Sequence, residues 1–227
     1  MKRLLIYCEG QTEEMVVERL LRPYLQLHGV KVDRPILAAT SQDPQWQRGG
    51  FVNWDAIQRD LRQIFVDDSD ANLRFTTLLD VYAMPTTVLR LAGFNAPVTA
   101  VVEVEAVEKA IEGALNEPRF KAYLQRHEFE ALVLAAPDAL ELVFPRHRQG
   151  VVQLRVEVAQ FANAEDINHG PTTHPFARLV SAVPSYQDLK ASHAYFVLAQ
   201  TDFGTVRAKC PRFDAWLKHW EDWGAQP

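Results

Sequence analysis

Glu9 follows the apolar run Leu4-Leu5-Ile6-Tyr7-Cys8, and Asp80 closes the run Phe75-Thr76-Thr77-Leu78-Leu79. Short continuous apolar runs of this kind are expected of strands buried on both faces. In an open parallel sheet the carboxyl ends of the strands gather along one edge, and ligands bind there. Two strand-end carboxylates therefore converge without being close in sequence. Converging carboxylates repel unless a cation or a proton lies between them, and oxygen-only ligation suits Mg²⁺ or Mn²⁺. The plainer alternative makes each a turn residue at a strand end, where Asp and Glu are common.

The segment Glu9-Gly10-Gln11-Thr12-Glu13 is more specific. Gly10 permits a close backbone approach or a positive φ, and Thr12 is expected to cap a helix. Glu13, one turn in, faces the same pocket as Glu9 or else complements the helix dipole. Neither a Gly-Lys-Ser/Thr ending nor a GxGxxG is present, so the two common phosphate-cradling loops are unsupported. His127-Glu128-Phe129-Glu130 is not HExxH, because position 131 is Ala. Glu128 and Glu130 would add a third acidic corner beside Asp80; the alternative makes Glu128 a helix-start residue and Glu130 a solvated one. His169 and His174 lack a third ligand at zinc-site spacing. Arg178, Lys190 and His193 are candidates for phosphate contacts, or ordinary surface charges. No Gly-x-Ser-x-Gly is present, and Cys8 falls in a buried strand. Trp216, Trp220 and Trp223 recur at helical spacing, which favours packing over base stacking.

The elements that must position these residues alternate. A helix with Val16, Val17, Leu20, Leu21, Tyr24 and Leu27 on one face follows Thr12 and closes at Gly29. Val30 to Ala39 reads as a second strand, residues 40–52 as a polar loop, and Asn53 as the cap of a helix through about Phe65. After the Phe75 strand come a Glu- and Ala-rich helix from Ala100 to Leu115, a fourth strand from Phe120 to Gln125, and a helix from Glu128 to Ala135. Helices are expected near 152–162, 175–183, 187–200 and 210–223. Strand, helix and strand in close succession favour a right-handed parallel crossover. The expected division is an α/β core over 1–145 and a helical extension over 146–227, packed as one unit.

With 227 residues, 48% hydrophobic and 23% charged, the chain is long enough for a core without disulfides or a structural metal. Two cysteines far apart point to a reducing compartment. A net charge of −5 excludes a strongly basic nucleic-acid wrapper but allows an enzyme that touches nucleic acid through one patch. The apolar run before Glu9 is too short for a signal-peptide core, and no stretch approaches the length of a membrane span. The expected location is cytoplasmic, with no membrane partner.

The stretches Tyr7-Cys8-Glu9-Gly10-Gln11-Thr12-Glu13-Glu14, Leu79-Asp80-Val81-Tyr82-Ala83-Met84-Pro85 and Tyr123 to Leu132 resemble the DUF4276 family. So do Glu165 to Pro171 and Cys210 to Leu217. That family is placed among Toprim-like proteins, akin to the nuclease part of the OLD family. The resemblance implies a Toprim-like three-layer α/β fold, with a mainly parallel sheet flanked by helices, an acidic Mg²⁺-binding edge and a helical C-terminal region. Glu9 matches the Toprim Glu after the first strand, and Asp80 the first Asp of an Asp-x-Asp. Tyr82 stands in place of the second Asp, and Glu13, Glu128 or Glu130 would restore the ligand count. The implied activity is a Mg²⁺- or Mn²⁺-dependent nuclease on DNA or RNA, with His127 or Lys190 positioning the phosphate or protonating the leaving oxygen. An ABC- or AAA-type ATPase partner in phage defence is implied by the resemblance alone. The competing expectation is a catalytically degenerate module that docks on such an ATPase.

Overall fold

The computed structural model describes residues 1–38, 53–82, 84–168 and 170–227. The expected loop at 40–52 and His169 lie outside the described residues. Two compact units are present: residues 1–124 with 220–227, and residues 125–219.

Unit one is built on a parallel sheet. Strand β1 (Lys2–Cys8) lies between β2 (Val30–Val32) and β4 (Leu73–Asp80), and β5 (Phe120–Lys121) pairs on the far side of β4. The central position of β1 and β4 explains their apolar runs: Leu4, Ile6, Phe75 and Leu78 are all buried. The α/β class with a mainly parallel sheet is thus as expected. The second strand differs from expectation. It is two short pieces, β2 and β3 (Ile36–Leu37), both paired with β1. Pro35 between them has no N–H to give to a ladder, and Asp33 leaves β2 to hold Arg3 through its carboxylate at 2.6 Å.

The helical run after β1 comprises α1 (Gln11–Val16), a π-helical turn (Val17–Leu21) and α2 (Arg22–Leu27), and Gly29 at φ +82° ends it. Two expectations at its start are corrected. The cap is Gly10, not Thr12, because the Glu13 carboxylate reaches back 3.0 Å to accept from the Gly10 N–H. Gly10 has φ −152°, extended backbone that any residue adopts. Asn53 does cap α3 (Trp54–Asp67), its side chain accepting from the Ala56 N–H at 2.9 Å. The short helix α4 (Thr86–Leu89) and the faces of α3 and α5 (Val101–Leu115) that carry Ile57, Leu61, Phe65, Val104, Val107 and Ile111 join the same apolar core as Phe75 and Leu79.

The expected strand Phe120 to Gln125 is also divided, into β5 and β6 (Leu124–Gln125). Between them the Thr77 hydroxyl replaces a ladder rung: it donates to the Tyr123 carbonyl and accepts from the Tyr123 N–H, both at 2.8 Å. Two carboxylates of α5, four residues apart, cover the neighbouring amides. Glu112 accepts from Ala122 N–H at 3.0 Å and Glu108 from Leu124 N–H at 2.8 Å. Thr77→Val strands both backbone groups of a buried residue and is expected to cost about 2 kcal/mol. Urea unfolding checks this, with Thr77→Ser as the control that keeps the hydroxyl. A serine variant less stable than the valine variant would show that the hydroxyl is not used.

Unit two is helical, with α6 (Glu130–Leu134), α7 (Pro137–Val143), α8 (Arg148–Val158), α9 (Pro175–Ala182), α10 (Lys190–Ala199) and α11 (Phe203–Lys209). Helix α12 (Pro211–Ala225) starts in unit two, and its residues from Trp220 onward belong to unit one. Helices α7 and α11 were not expected from the sequence, being only seven residues each. Helices α8 and α9 approach so closely that a Cβ on Gly150 would stand 2.2 Å from the Ala182 carbonyl oxygen. No helix among the described residues is long and apolar enough to cross a membrane.

Candidate metal centre at the carboxyl edge of the sheet

Strands β1 and β4 run parallel in register, with Cys8 opposite Leu78. Both therefore end at the same edge, Glu9 following Cys8 and Asp80 lying two residues past Leu78. The Glu9 N–H donates to the Leu78 carbonyl at 3.2 Å, the last backbone rung. Glu9 Oε2 then accepts from the Asp80 N–H at 3.0 Å, so its carboxylate takes over as acceptor where the ladder stops. The contact between these two positions thus runs from the Glu9 carboxylate to the Asp80 backbone. Glu13 is buried with its carboxylate folded onto Gly10, on the helix that leaves the same strand end. Burial, followed by the charges of Glu13 and Glu14, pushes the Cys8 thiol well above its ordinary range, so Cys8 is no thiolate nucleophile. Tyr82 is partly exposed at 36%.

A pair of carboxylates is chemically suited to Mg²⁺. That ion keeps several waters and is held in many sites by one or two carboxylates together with substrate phosphates. Among the described residues no group of three or more His, Cys, Asp or Glu is placed to hold a metal ion.

The other candidates lie in unit two, and each has a partner there. Arg126 is ion-paired with Asp166. His127 is buried at φ +65°, with Asn168 Nδ2 at 3.1 Å from its Nδ1. Because Asn168 Oδ1 accepts from the Gly170 N–H, its amide nitrogen is the end that faces His127. Glu128 Oε2 lies 2.8 Å from His174 Nδ1 and accepts from the Phe176 N–H at 2.9 Å, capping the start of α9. Glu130, expected to be solvated in the plainer reading, is fully buried; Lys190 Nζ lies 3.0 Å from its Oε1 and 5.0 Å from the Phe176 ring centroid. Arg178 pairs with Glu157 at 3.0 Å, and His193 Nδ1 lies 3.0 Å from the Tyr186 carbonyl oxygen. Trp216 and Trp220 are buried, in keeping with packing.

Sequence reasoning missed Glu165. Its carboxylate is buried and accepts from the Arg212 and Phe213 N–H groups at 2.8 and 3.1 Å, the first turn of α12. The signal lies in the stretches Glu165 to Pro171 and Cys210 to Leu217, the first carrying an acid and the second a Pro at a helix start.

A family model described as "Domain of unknown function (DUF4276)" matches residues 8–221. The chain belongs to the DUF4276 family. Within that match fall both acids of the sheet edge and the whole polar framework of unit two. No curated protein matches this DUF4276 chain. Among solved structures, the C-terminal region of the Xanthomonas campestris pv. campestris OLD protein is similar at 13% identity and a TM-score of 0.41. The similarity covers 99% of the DUF4276 chain and 97% of that one.

Proposed function

We propose that this DUF4276 protein is a divalent-metal-dependent phosphodiesterase acting on DNA or RNA, with Glu9 and Asp80 as the residues that hold Mg²⁺ or Mn²⁺. The observation that carries the reading is the bond from the Asp80 N–H to Glu9 Oε2, which ties the Glu9 carboxylate to the end of the adjacent parallel strand that carries Asp80. When bound there, a divalent cation supplies charge neutralisation for a phosphoryl oxygen and acidification of a water molecule. Glu9, pinned by its backbone donor, keeps one carboxylate geometry and so orients what it holds. Buried Glu13 adds negative charge on the helix above Gly10. Glu128, Glu130, His127 and Lys190 receive no chemical part in this proposal, since their contacts with Asn168, Phe176 and one another make each a framework residue of unit two. A setting in phage defence beside an ABC- or AAA-type ATPase rests on the family resemblance.

A second reading, a non-catalytic module that docks on an ATPase, is favoured by Tyr82, a partly exposed aromatic where the resemblance implies a second Asp. Calorimetric titration of Mn²⁺ separates the two. Binding by the unaltered chain, weakened at least about tenfold in Glu9→Gln and in Asp80→Asn, supports the metal centre, as loss of one ligand to a hydrated cation should. Phosphodiesterase activity on single- and double-stranded substrates, lost in the same variants, would complete it. Unchanged Mn²⁺ affinity in both variants, or none in any, removes the metal centre and leaves the docking module.

A further inference from the structure

Unit two contains a second feature, independent of the acidic edge. A cavity of about 150 Å³ is walled by Leu134, Ala135, Val158 and Phe161, with Arg155 and Lys209 among its lining residues. Leu134 and Ala135 are buried, so the interior is apolar. The exposed lining residues Ala159 and Lys209 open the cavity to solvent, and its volume suits a guest about as large as a six-carbon ring.

The two cations give the cavity a polarity. Arg155 meets Glu141 at 3.0 Å and Asp138 at 2.8 Å, both through Nη2. The Asp138 side chain is 87% exposed, so solvent screens much of that pair. Nη1 is engaged in neither contact. The Lys209 ammonium makes no hydrogen bond or ion pair among the described residues. Apolar walls with a few convergent charges are the ordinary make-up of a small-molecule site. The walls are aliphatic apart from Phe161 and present no side-chain amide or hydroxyl with which to read a nucleobase edge.

We propose that this cavity binds a small amphipathic anion, an aliphatic carboxylate of about six carbons, with its chain among Leu134, Val158 and Phe161 and its carboxylate toward Lys209 and Arg155. Hexanoate titrated into the full chain, followed by amide chemical shifts, tests it, with hexanol as the neutral probe. Saturable binding is expected at about millimolar concentration, the strength reasonable for eight non-hydrogen atoms. Hexanol and the Lys209→Met variant should each bind about fivefold more weakly, as loss of a charge-assisted contact predicts. Ala159→Trp, at an exposed lining position, should abolish binding while leaving the melting temperature near that of the unaltered chain. Three outcomes would overturn the proposal: no saturation by about 50 mM hexanoate, far beyond that expected strength; equal affinity for hexanol; or undiminished binding by a folded Ala159→Trp.

Discussion

Lys190→Met is expected to destabilise the protein by about 3 kcal/mol, the scale of breaking an ion pair around a buried charge. Glu130 is fully buried, whereas the Lys190 side chain is 39% exposed, so the loss falls on the carboxylate left behind rather than on the removed lysine. Methionine keeps much of the lysine's apolar length but removes the ammonium, and with it both the Glu130 contact and the cation–π contact 5.0 Å from the Phe176 centroid. Replacing both members, Glu130→Met with Lys190→Met, should recover most of the loss, because two apolar groups of similar volume carry no desolvated charge. Urea unfolding of the two single variants and the double variant measures the coupling directly. A Lys190→Met variant within about 0.5 kcal/mol of the unaltered chain, the range of ordinary surface changes, would return Lys190 to the candidates for phosphate chemistry.

That pair shows what a single sequence conveys and what it withholds. The buried strands were legible because parallel strands covered on both faces have no polar alternation, and Leu4 to Cys8 and Phe75 to Leu79 have little. That the ends of β1 and β4 carrying Glu9 and Asp80 lie side by side followed from the same logic, since parallel neighbours end at one edge. The fates of Glu128 and Glu130 were not legible. Periodicity places a residue on an element, but their roles depend on His174, 46 residues later, in one case and on Lys190 in the other. The breaks in the second and fourth strands were hidden for a related reason. Pro35 was a visible cue, but nothing local marks Thr77 as a stand-in for a strand rung, or Glu108 and Glu112 as covers for backbone amides. A carboxylate every fourth residue on a helix reads as a solvated face until the strand it covers is known. The cap at Gly10 was misread because a hydroxyl at Thr12 is the stronger local signal, while the deciding atom belongs to Glu13.

Glu165 is the residue on which pH should act most clearly. Burial raises its pKa above 4.5, outweighing the two backbone donors and the nearby Arg212, which pull it down. A carboxylate raised in the folded state binds more protons folded than unfolded between the two values. Stability from this group therefore falls as pH rises from about 4.5 through the folded pKa, and is level above it. Glu165→Gln still offers a carbonyl oxygen to the first turn of α12 but cannot ionise. Its thermal stability relative to the unaltered chain should rise as pH increases from about 4.5 through the raised folded pKa, all other groups being common to both. Glu165→Ala removes the acceptor altogether and leaves the Phe213 N–H, a buried donor, without its carboxylate. Loss of the cap and of a buried acceptor together should cost about 3 kcal/mol. The carboxylate also bears on Cys210, whose thiol is pushed well above its ordinary range by burial and then by the Glu165 charge, so both variants should make that thiol easier to ionise. Melting curves at pH 5, 6 and 7 for the three proteins decide the matter. If Glu165→Gln follows the unaltered chain at every pH, Glu165 does not titrate in this range; if Glu165→Ala costs less than about 1 kcal/mol, the low end for a helix cap, α12 does not depend on its acid cap.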